Sequence, residues 1–349
     1  MSRAEFFRTL VRGERRGPLA FLARAALAGA SVPYRAGVGW RNWRFDGGRG
    51  IARAAVPVVS VGNLTMGGTG KTPCVEYVAR LLSDDGHAVA ILSRGYGAHD
   101  EALVLEENLP DVPHLQGADR VALAMTAVEE LERGVLVLDD GFQHRKLYRD
   151  FDIVLVDATT PLWDERLFPR GMLREPASSL KRASVVLLTR CDVSTTAEQQ
   201  RQWLRERFPA LPVFRTVHEP HPLALADGPT FAFCGLGNPE GFRRTLARIG
   251  RTPAEFRTFP DHHPYTRDDV NELQRWAATL PAHGSVLTTQ KDWVKLRLDS
   301  LAGRPLLPVR IGFAFQDGGA DFAKLLRAAV PPSERTDADD SDLPAELDR

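Results

Sequence analysis

The chain lacks most of the features that assign a protein at first sight. It has no excess of charge: 45 Lys and Arg residues face 45 Asp and Glu in 349 residues. A dedicated nucleic-acid binder usually carries a large basic surplus, so that class is disfavoured and no nucleic acid is expected as partner. Cysteine is scarce. Cys74, Cys191 and Cys234 are odd in number, far apart and without a CxxC pair. Neither a zinc ribbon nor a disulfide framework is supported, and a reducing compartment fits. Long hydrophobic runs are missing too. No stretch approaches the roughly 18–20 apolar residues of a spanning helix. The longest near the N-terminus, Pro18 to Ala30, is broken by Arg24 and does not read as a signal peptide. No internal repeat is visible.

What is present is an ordinary globular composition, with 43% hydrophobic and 26% charged residues. At roughly 100–200 residues per domain, the length suggests about two domains. The zero net charge is an average over unequal parts. Residues 1–53 hold eleven Arg and three acids, net +8, whereas residues 331–349 hold seven acids and two Arg, net −5. The basic arm interleaves Phe6, Phe7, Leu10, Val11, Leu19, Phe21, Leu22 and Leu27 with Arg3, Arg8, Arg12, Arg15, Arg16 and Arg24. Two readings stand at this point. Such a helix can lie in an anionic membrane interface, or pack one face on its own domain with the rest in solvent.

Further along, short apolar runs alternate with helical patterns. Strands are predicted at Pro57–Val61, Val89–Leu92, Val135–Leu138, Ile153–Val156, Val185–Leu188, Val213–Val217, Phe231–Cys234, Val286–Thr288 and Leu307–Ile311. Helices are predicted near 72–84, 120–132, 196–207, 239–248, 267–279 and 320–329. This alternation predicts an α/β fold with parallel sheets covered on both faces. Pro220 and Pro222 predict an irregular connector at His218–Leu223 and a domain boundary beside it. The expected organisation is an amphipathic arm over 1–53 packing on the first domain, a P-loop NTPase-like domain over 54–218, a smaller α/β domain over 219–330, and a disordered acidic tail over 331–349.

The strongest local signal runs from Val58 to Thr72, VVSVGNLTMGGTGKT. An apolar strand enters a glycine-rich loop, Thr65-Met66-Gly67-Gly68-Thr69-Gly70-Lys71-Thr72, and a helix follows with Val75, Val78, Ala79 and Leu82 on one face. Strand, loop and helix in this order form the context of a phosphate-binding P-loop. Glycines let backbone N–H groups turn inward around a phosphate, and the helix N-terminus adds its positive dipole end. Lys71 would reach the β/γ-phosphates and Thr72 would hold Mg²⁺. The pattern is relaxed at its first position, where Thr65 replaces Gly. A second anchor, Val135–Asp140, reads as an apolar strand ending in Asp139-Asp140, with a carboxylate placed to hold Mg²⁺ at the strand's C-terminal end.

A phosphate loop implies nucleotide binding, not a reaction. A partitioning-type ATPase is disfavoured because Met66 stands where that class has lysine. GTP remains an alternative on these motifs, since Thr189-Arg-Cys-Asp192 and Thr289-Gln-Lys-Asp292 loosely mimic guanine-reading strand ends. So does a P-loop switch or regulatory NTPase without a lipid substrate.

The residues also carry a family resemblance. Val58–Pro73, Leu92–Gly97 (LSRGYG), Leu138–Leu147 (LDDGFQHRKL), Arg149-Asp150, Arg170–Arg182 (RGMLREPASSLKR), Ala232–Phe242 (AFCGLGNPEGF), Phe259–Pro264 (FPDHHP) and Thr289–Leu296 (TQKDWVKL) occur in family order. In these stretches the chain resembles the tetraacyldisaccharide 4′-kinases of lipid A biosynthesis. The resemblance implies an ATP- and Mg²⁺-dependent kinase of two α/β domains with its site in the cleft between them. The implied substrate is the 4′-hydroxyl of a tetraacylated glucosamine disaccharide 1-phosphate. The implied location is the cytoplasmic face of the inner membrane, with the basic arm against an anionic surface and no protein partner.

The same resemblance supplies roles. Asp100 would be the base for the sugar hydroxyl and Glu101 a Mg²⁺ ligand, although His99 and Ala102 depart from the flanking Gly and Pro of the family. His262 would work with Asp100, a neutral imidazole being able to relay a proton near neutral pH. Asp261 could orient the other ring nitrogen. His144, Arg170 and Arg174 are the expected contacts to substrate phosphate; a surface loop for His144 and structural ion pairs for the arginines are the plainer readings. The expected site is therefore Asp100, His262 and Lys71 for catalysis, residues 65–72 for ATP, and Thr72, Asp139 and Glu101 for Mg²⁺.

Overall fold

The computed structural model describes residues 3–95, 99–224 and 227–332, leaving aside the side chains of residues 3–5 and 99. Tyr96–Ala98 of the LSRGYG and acidic-motif region and residues 333–349 of the expected tail lie outside the described residues. In chain order the strands are β1 Val58–Asn63, β2 Val89–Ser93, β3 His114–Gln116, β4 Val135–Asp139, β5 Phe151–Asp157, β6 Val185–Thr189, β7 Val213–Pro220, β8 Thr230–Cys234, β9 Glu255–Thr258, β10 Ser285–Thr289, β11 Ser300–Leu301, β12 Arg304–Val309 and β13 Ile311–Phe315. The α-helices are α1 Arg3–Val11, α2 Pro18–Asp46, α3 Lys71–Asp84, α4 His99–Asn108, α5 Arg120–Glu129, α6 Ala197–Arg207, α7 Pro239–Arg248, α8 Arg267–Ala277, α9 Gln290–Leu296 and α10 Gly319–Ala329.

Two sheets result. The larger has eight strands in the order β13-β7-β6-β5-β1-β4-β2-β3, and the smaller five in the order β11-β12-β10-β8-β9. Both are parallel except at one edge each, where β13 runs against β7 and β11 against β12. The period-2 pattern of β1 explains why both faces are covered. Val59 and Val61 pack with Cys74, Val75, Val78, Ala79 and Leu82 of α3. Val58 points the other way, into a cluster with Ala124 and Ala127 of α5 and Leu136 and Leu138 of β4. A Cβ on Gly62 would stand 2.6 Å from that of the fully buried Phe142, so this strand position admits no side chain.

The N-terminal arm is two helices. Leu10 and Val11 of α1 are buried, whereas α2 exposes Leu19, Phe21, Leu22, Val32, Trp40 and Trp43. The C-terminal half of α2 is fastened to the first domain. Arg41 Nη2 and Asn42 Nδ2 donate to the fully buried Glu175, and Tyr34 donates to the Arg174 carbonyl. Among the described residues no helix is long and apolar enough to cross a membrane.

Two expectations need correction. His218-Glu-Pro-His-Pro is not wholly irregular: β7 continues to Pro220, paired with Ile311. Proline is tolerated there because its missing N–H lies beyond the stretch of β7 that pairs with β6, Val213–Arg215. The boundary at 330 also shifts. The predicted strand Leu307–Ile311 is two strands, and β13 and α10 return to the larger sheet, where Phe313, Phe322 and Leu326 join the core of β1 and α3. The second unit is therefore the segment between β7 and β13. Helix α4 and helix α9 were not predicted, nor were the short strands β3, β9 and β11.

Candidate active site

The site assembles at the C-terminal ends of β1 and β4. These are adjacent parallel strands, with Val61 in register with Asp139. Strand order jumps here from β5 to β1 to β4, the kind of switch point at which open α/β sheets bind ligands. The glycine-rich loop leaves β1 and enters α3 at Lys71. Its conformation is fixed from several sides. Thr65 bridges to Leu173, and the Met66 N–H donates to the Met172 carbonyl at 2.8 Å. Asn63 Nδ2 donates to the Thr69 hydroxyl at 2.9 Å. Arg190 Nη2 donates to the Gly68 carbonyl at 2.6 Å, which turns that acceptor away from a phosphate position. Gly67 and Gly68 are exposed. Gly70 is left-handed at φ 86°, and a Cβ there would collide with the His218 imidazole. Thr72 lies buried in the first turn of α3, and Pro73 needs no N–H partner there.

The acidic strand end divides into two roles. Asp140, at φ 54°, takes two hydrogen bonds from Arg174 Nη1 (2.9 and 2.7 Å) and lies 3.8 Å from Lys71 Nζ. These cations hold its carboxyl below the ordinary value against the opposing effect of burial. Asp139 is the reverse. Its Oδ1 is buried without a hydrogen-bond partner. Burial, with Glu101 and Asp140 adding to it and Lys71 opposing, pushes the carboxyl up to about 6. Asp139 thus senses both Lys71 and Glu101, which links the P-loop to α4.

Asp100 and Glu101 sit in the first turn of α4. Asp100 is buried and its Oδ2 lies 2.8 Å from Nδ1 of His262, so the pair expected from the resemblance is formed. The contact joins residues 162 apart in sequence. Burial opposes ionisation of Asp100, but His262, Lys291 and Lys295 together hold its carboxyl below the ordinary value. The hydrogen bond to Asp100 raises His262 above the ordinary imidazole value, despite partial burial. Asp261 Oδ1 is 3.9 Å from Nε2 of His262, too far for the hydrogen bond suggested for it.

The remaining expected residues separate. Arg174 is at the Asp140 carboxylate. Arg170 is directed to the arm, donating from Nη1 to the Val11 carbonyl at 3.1 Å. His144 has a buried, unpartnered Nε2, and burial together with Arg120, Arg149 and Lys146 drives its imidazole down to about 4. It is a neutral ring in a basic neighbourhood.

Several site residues escaped the sequence reading: Asp140 as the partner of Arg174, buried Arg120 beside the two aspartates, Arg190 and His218 at the loop, and Lys291 and Lys295 of α9. Lys291 and Lys295 had a signal, an i,i+4 pair of lysines on a short helix. The GTP-reading mimics are occupied otherwise. Asp192 is paired with Arg248 at 2.8 Å, and fully buried Asp292 accepts from Gly235 N–H and the Thr289 hydroxyl.

A phosphate loop with a buried acidic strand end, facing a carboxylate–histidine pair on a neighbouring helix and loop, defines a P-loop nucleotide-binding protein equipped for transfer to a second substrate. The particular family follows from comparison. A family model for the tetraacyldisaccharide-1-P 4′-kinase LpxK matches residues 23–330, and the chain belongs to that family. The tetraacyldisaccharide 4′-kinase of Anaeromyxobacter dehalogenans strain 2CP-C is 40% identical, over 91% of this chain and 92% of its own. That of Geobacter sulfurreducens is 35% identical, over 85% of this chain and 91% of its own. A crystal structure of LpxK from Aquifex aeolicus in complex with ATP superposes with a TM-score of 0.72 at 30% identity, covering 88% of this chain and 99% of that one.

Proposed function

We propose that this protein transfers the γ-phosphate of ATP to the 4′-hydroxyl of a tetraacylated glucosamine disaccharide 1-phosphate, a lipid A precursor. The observation that carries the reading is the Asp100–His262 pair on the α4 side of a P-loop, with Glu101 close enough to act on Asp139. Nucleotide binding alone does not need such a pair; deprotonating an acceptor hydroxyl does.

The roles follow from the geometry. Backbone N–H groups of residues 67–72 and Lys71 hold the triphosphate. The residues present fit Mg²⁺: the buried, unpartnered Oδ1 of Asp139 is an oxygen donor lacking a partner, and the Thr72 hydroxyl heads α3. Mg²⁺ takes few protein ligands beside phosphate oxygens and water, so Asp139 and Thr72, with Glu101, would hold it. The ion would neutralise charge along the phosphates. Asp100, ionised and oriented by His262, takes the proton from the 4′-hydroxyl as its oxygen bonds to the γ-phosphorus and the bond from that phosphorus to the β–γ bridging oxygen breaks, releasing ADP. Of the residues expected at the substrate phosphate, Arg174 is the one assigned there, because it meets the P-loop lysine through Asp140, whereas Arg170 is engaged with the Val11 carbonyl.

The substrate is a lipid, and the arm suits it. Exposed Leu19, Phe21 and Leu22 lie between Arg16 and Arg24 at the start of α2. The enzyme is assigned peripherally to the cytoplasmic face of the inner membrane, where ATP meets a lipid acceptor. The deciding experiment incubates purified protein with γ-labelled ATP, Mg²⁺ and the disaccharide acceptor. Label in the glycolipid is expected. Label only in ATP and inorganic phosphate would replace the kinase with a switch or regulatory NTPase.

A further inference from the structure

Helix α9 belongs to the smaller sheet, yet it packs on α4 and aims two lysines at that helix's acidic first turn. Lys291 Nζ donates to Glu101 Oε1 at 2.6 Å. Lys295 is only 14% exposed and makes four contacts. It ion-pairs with Asp292 Oδ1 at 3.1 Å, donates to the His263 carbonyl at 3.1 Å, lies 5.2 Å from the centre of the Tyr265 ring, and stands 4.0 Å from Asp100 Oδ2. Asp292 in turn is wholly buried and receives the Gly235 N–H, while the Gly235 carbonyl receives the His262 N–H.

Lys295 therefore stands beside both halves of the catalytic pair. On one side its Nζ lies at ion-pair distance, 4.0 Å, from the same Asp100 oxygen that faces His262; the other oxygen, Oδ1, accepts the Glu101 N–H at 3.0 Å. On the other side it holds the backbone immediately after His262, a non-glycine residue at φ 58°. A left-handed residue of this kind persists only where its surroundings hold it.

We propose that Lys295 is a positioning residue for phosphoryl transfer, fixing the Asp100 carboxylate and the His262–His263 turn in one arrangement, so that the second domain completes the proton-accepting pair. This rests on the reading of Asp100 as the proton acceptor. Among the described residues no hydrogen bond or ion pair joins Lys295 to the nucleotide loop, so its loss is expected to act on the chemical step and leave ATP binding alone. Misplacing a reacting group by about 1 Å can cost on the order of 10²-fold in rate.

The test compares Lys295→Met, Lys295→Arg, the pair Lys295→Met/Asp292→Asn, and Asp100→Ala in the full-length enzyme, with thermal melting beside steady-state kinetics. Removing Lys295 leaves Asp292 buried and unpaired, so Lys295→Met is expected to melt earlier, and the added Asp292→Asn to restore the melting temperature. Lys295→Met and the pair should both lose about 10²-fold in kcat, with the ATP KM changed less than about twofold. Lys295→Arg should recover part of the loss. Recovery of kcat in the folded Lys295→Met/Asp292→Asn enzyme, or a parallel rise in the ATP KM, would reduce Lys295 to a structural lysine and overturn the proposal. The Asp100→Ala enzyme separates the two levels. If it loses turnover and the Lys295 variants do not, only the positioning role falls; if it keeps kcat, the reading of Asp100 falls and the proposal with it.

Discussion

Replacing Asp139 by Asn should stabilise the ligand-free protein while removing its kinase activity. The Asp139 carboxylate closes β4 with one oxygen buried and unpartnered. Burial is the main reason its carboxyl rises from 3.8 to about 6, and the attraction of Lys71 only partly offsets it. An acid with a raised folded pKa holds its proton more tightly folded than unfolded. The cost of ionising it is absent below the unfolded value of 3.8, grows as pH rises, and is complete above about 6. At ~1.4 kcal/mol per pKa unit, the full cost is on the order of 3 kcal/mol. Asn keeps the shape and removes the charge. Since 1 kcal/mol moves Tm by roughly 2–4 °C in domains of about 150–250 residues, a rise of several degrees is expected near neutral pH. The rise should shrink as pH falls and vanish at about pH 3, below the unfolded value of 3.8, where the wild-type carboxyl is protonated in both the folded and the unfolded chain. Thermal melts in EDTA at the two pH values measure it, and labelled-ATP assays on the same preparations measure activity. A variant melting at or below the wild type near neutral pH, or differing equally at both pH values, would refute the argument that the strand end stores an unfavourable charge for Mg²⁺.

Other outcomes follow from the same geometry. Lys71→Ala should lower kcat by about 10²-fold or more by removing charge stabilisation at the transferred phosphate; near-wild-type turnover would sink the P-loop assignment. Gly70→Ala forces a side chain into a left-handed position and against His218, so ATP affinity measured by calorimetry should fall about tenfold or more. The Asp100 partner raises the His262 pKa, so with the neutral ring relaying the proton from Asp100, kcat/KM should rise with pH along a limb on the alkaline side of the ordinary imidazole value of 6.5, and a limb below that value would contradict the pairing. Glu at Leu19, Phe21 and Leu22 together should reduce binding to anionic vesicles without lowering Tm, because all three are exposed; equal binding would return α2 to a solvated helix.

The parts legible in the sequence share a property: their signals are local. The P-loop between β1 and α3 shows as one unbroken strand, glycine loop and apolar-faced helix. Asp139 was legible as the end of an apolar run. Helix α4 was not, because His99 and Ala102 depart from the family motif around Asp100 and Glu101 and no helical pattern is read there. Their partners lie far along the chain, Lys291 being 190 residues from Glu101, and no period or composition encodes such a meeting. Arg170 and Arg174 illustrate the limit from the other side. Four residues apart in one segment, they serve different ends, one holding the Val11 carbonyl and the other the Asp140 carboxylate.

The return of β13 beside β7 sets how the two units are joined. The chain leaves the larger sheet at Pro220 and re-enters it at Ile311, and these residues are paired, with the His221 N–H donating to the Arg310 carbonyl at 3.0 Å. The outgoing and incoming strands are thus stitched into a single two-stranded ribbon at the crossing. Separating the second unit from the first at this point would break the pairing of β7 with β13. The same ribbon ties the segment that carries α9 to the edge of the first sheet at both of its ends. It also follows that no C-terminal truncation removes the second unit cleanly: cutting there strips β13 from the edge of the first sheet, whereas excising the intervening segment and splicing the two strands by a short turn would leave that sheet whole.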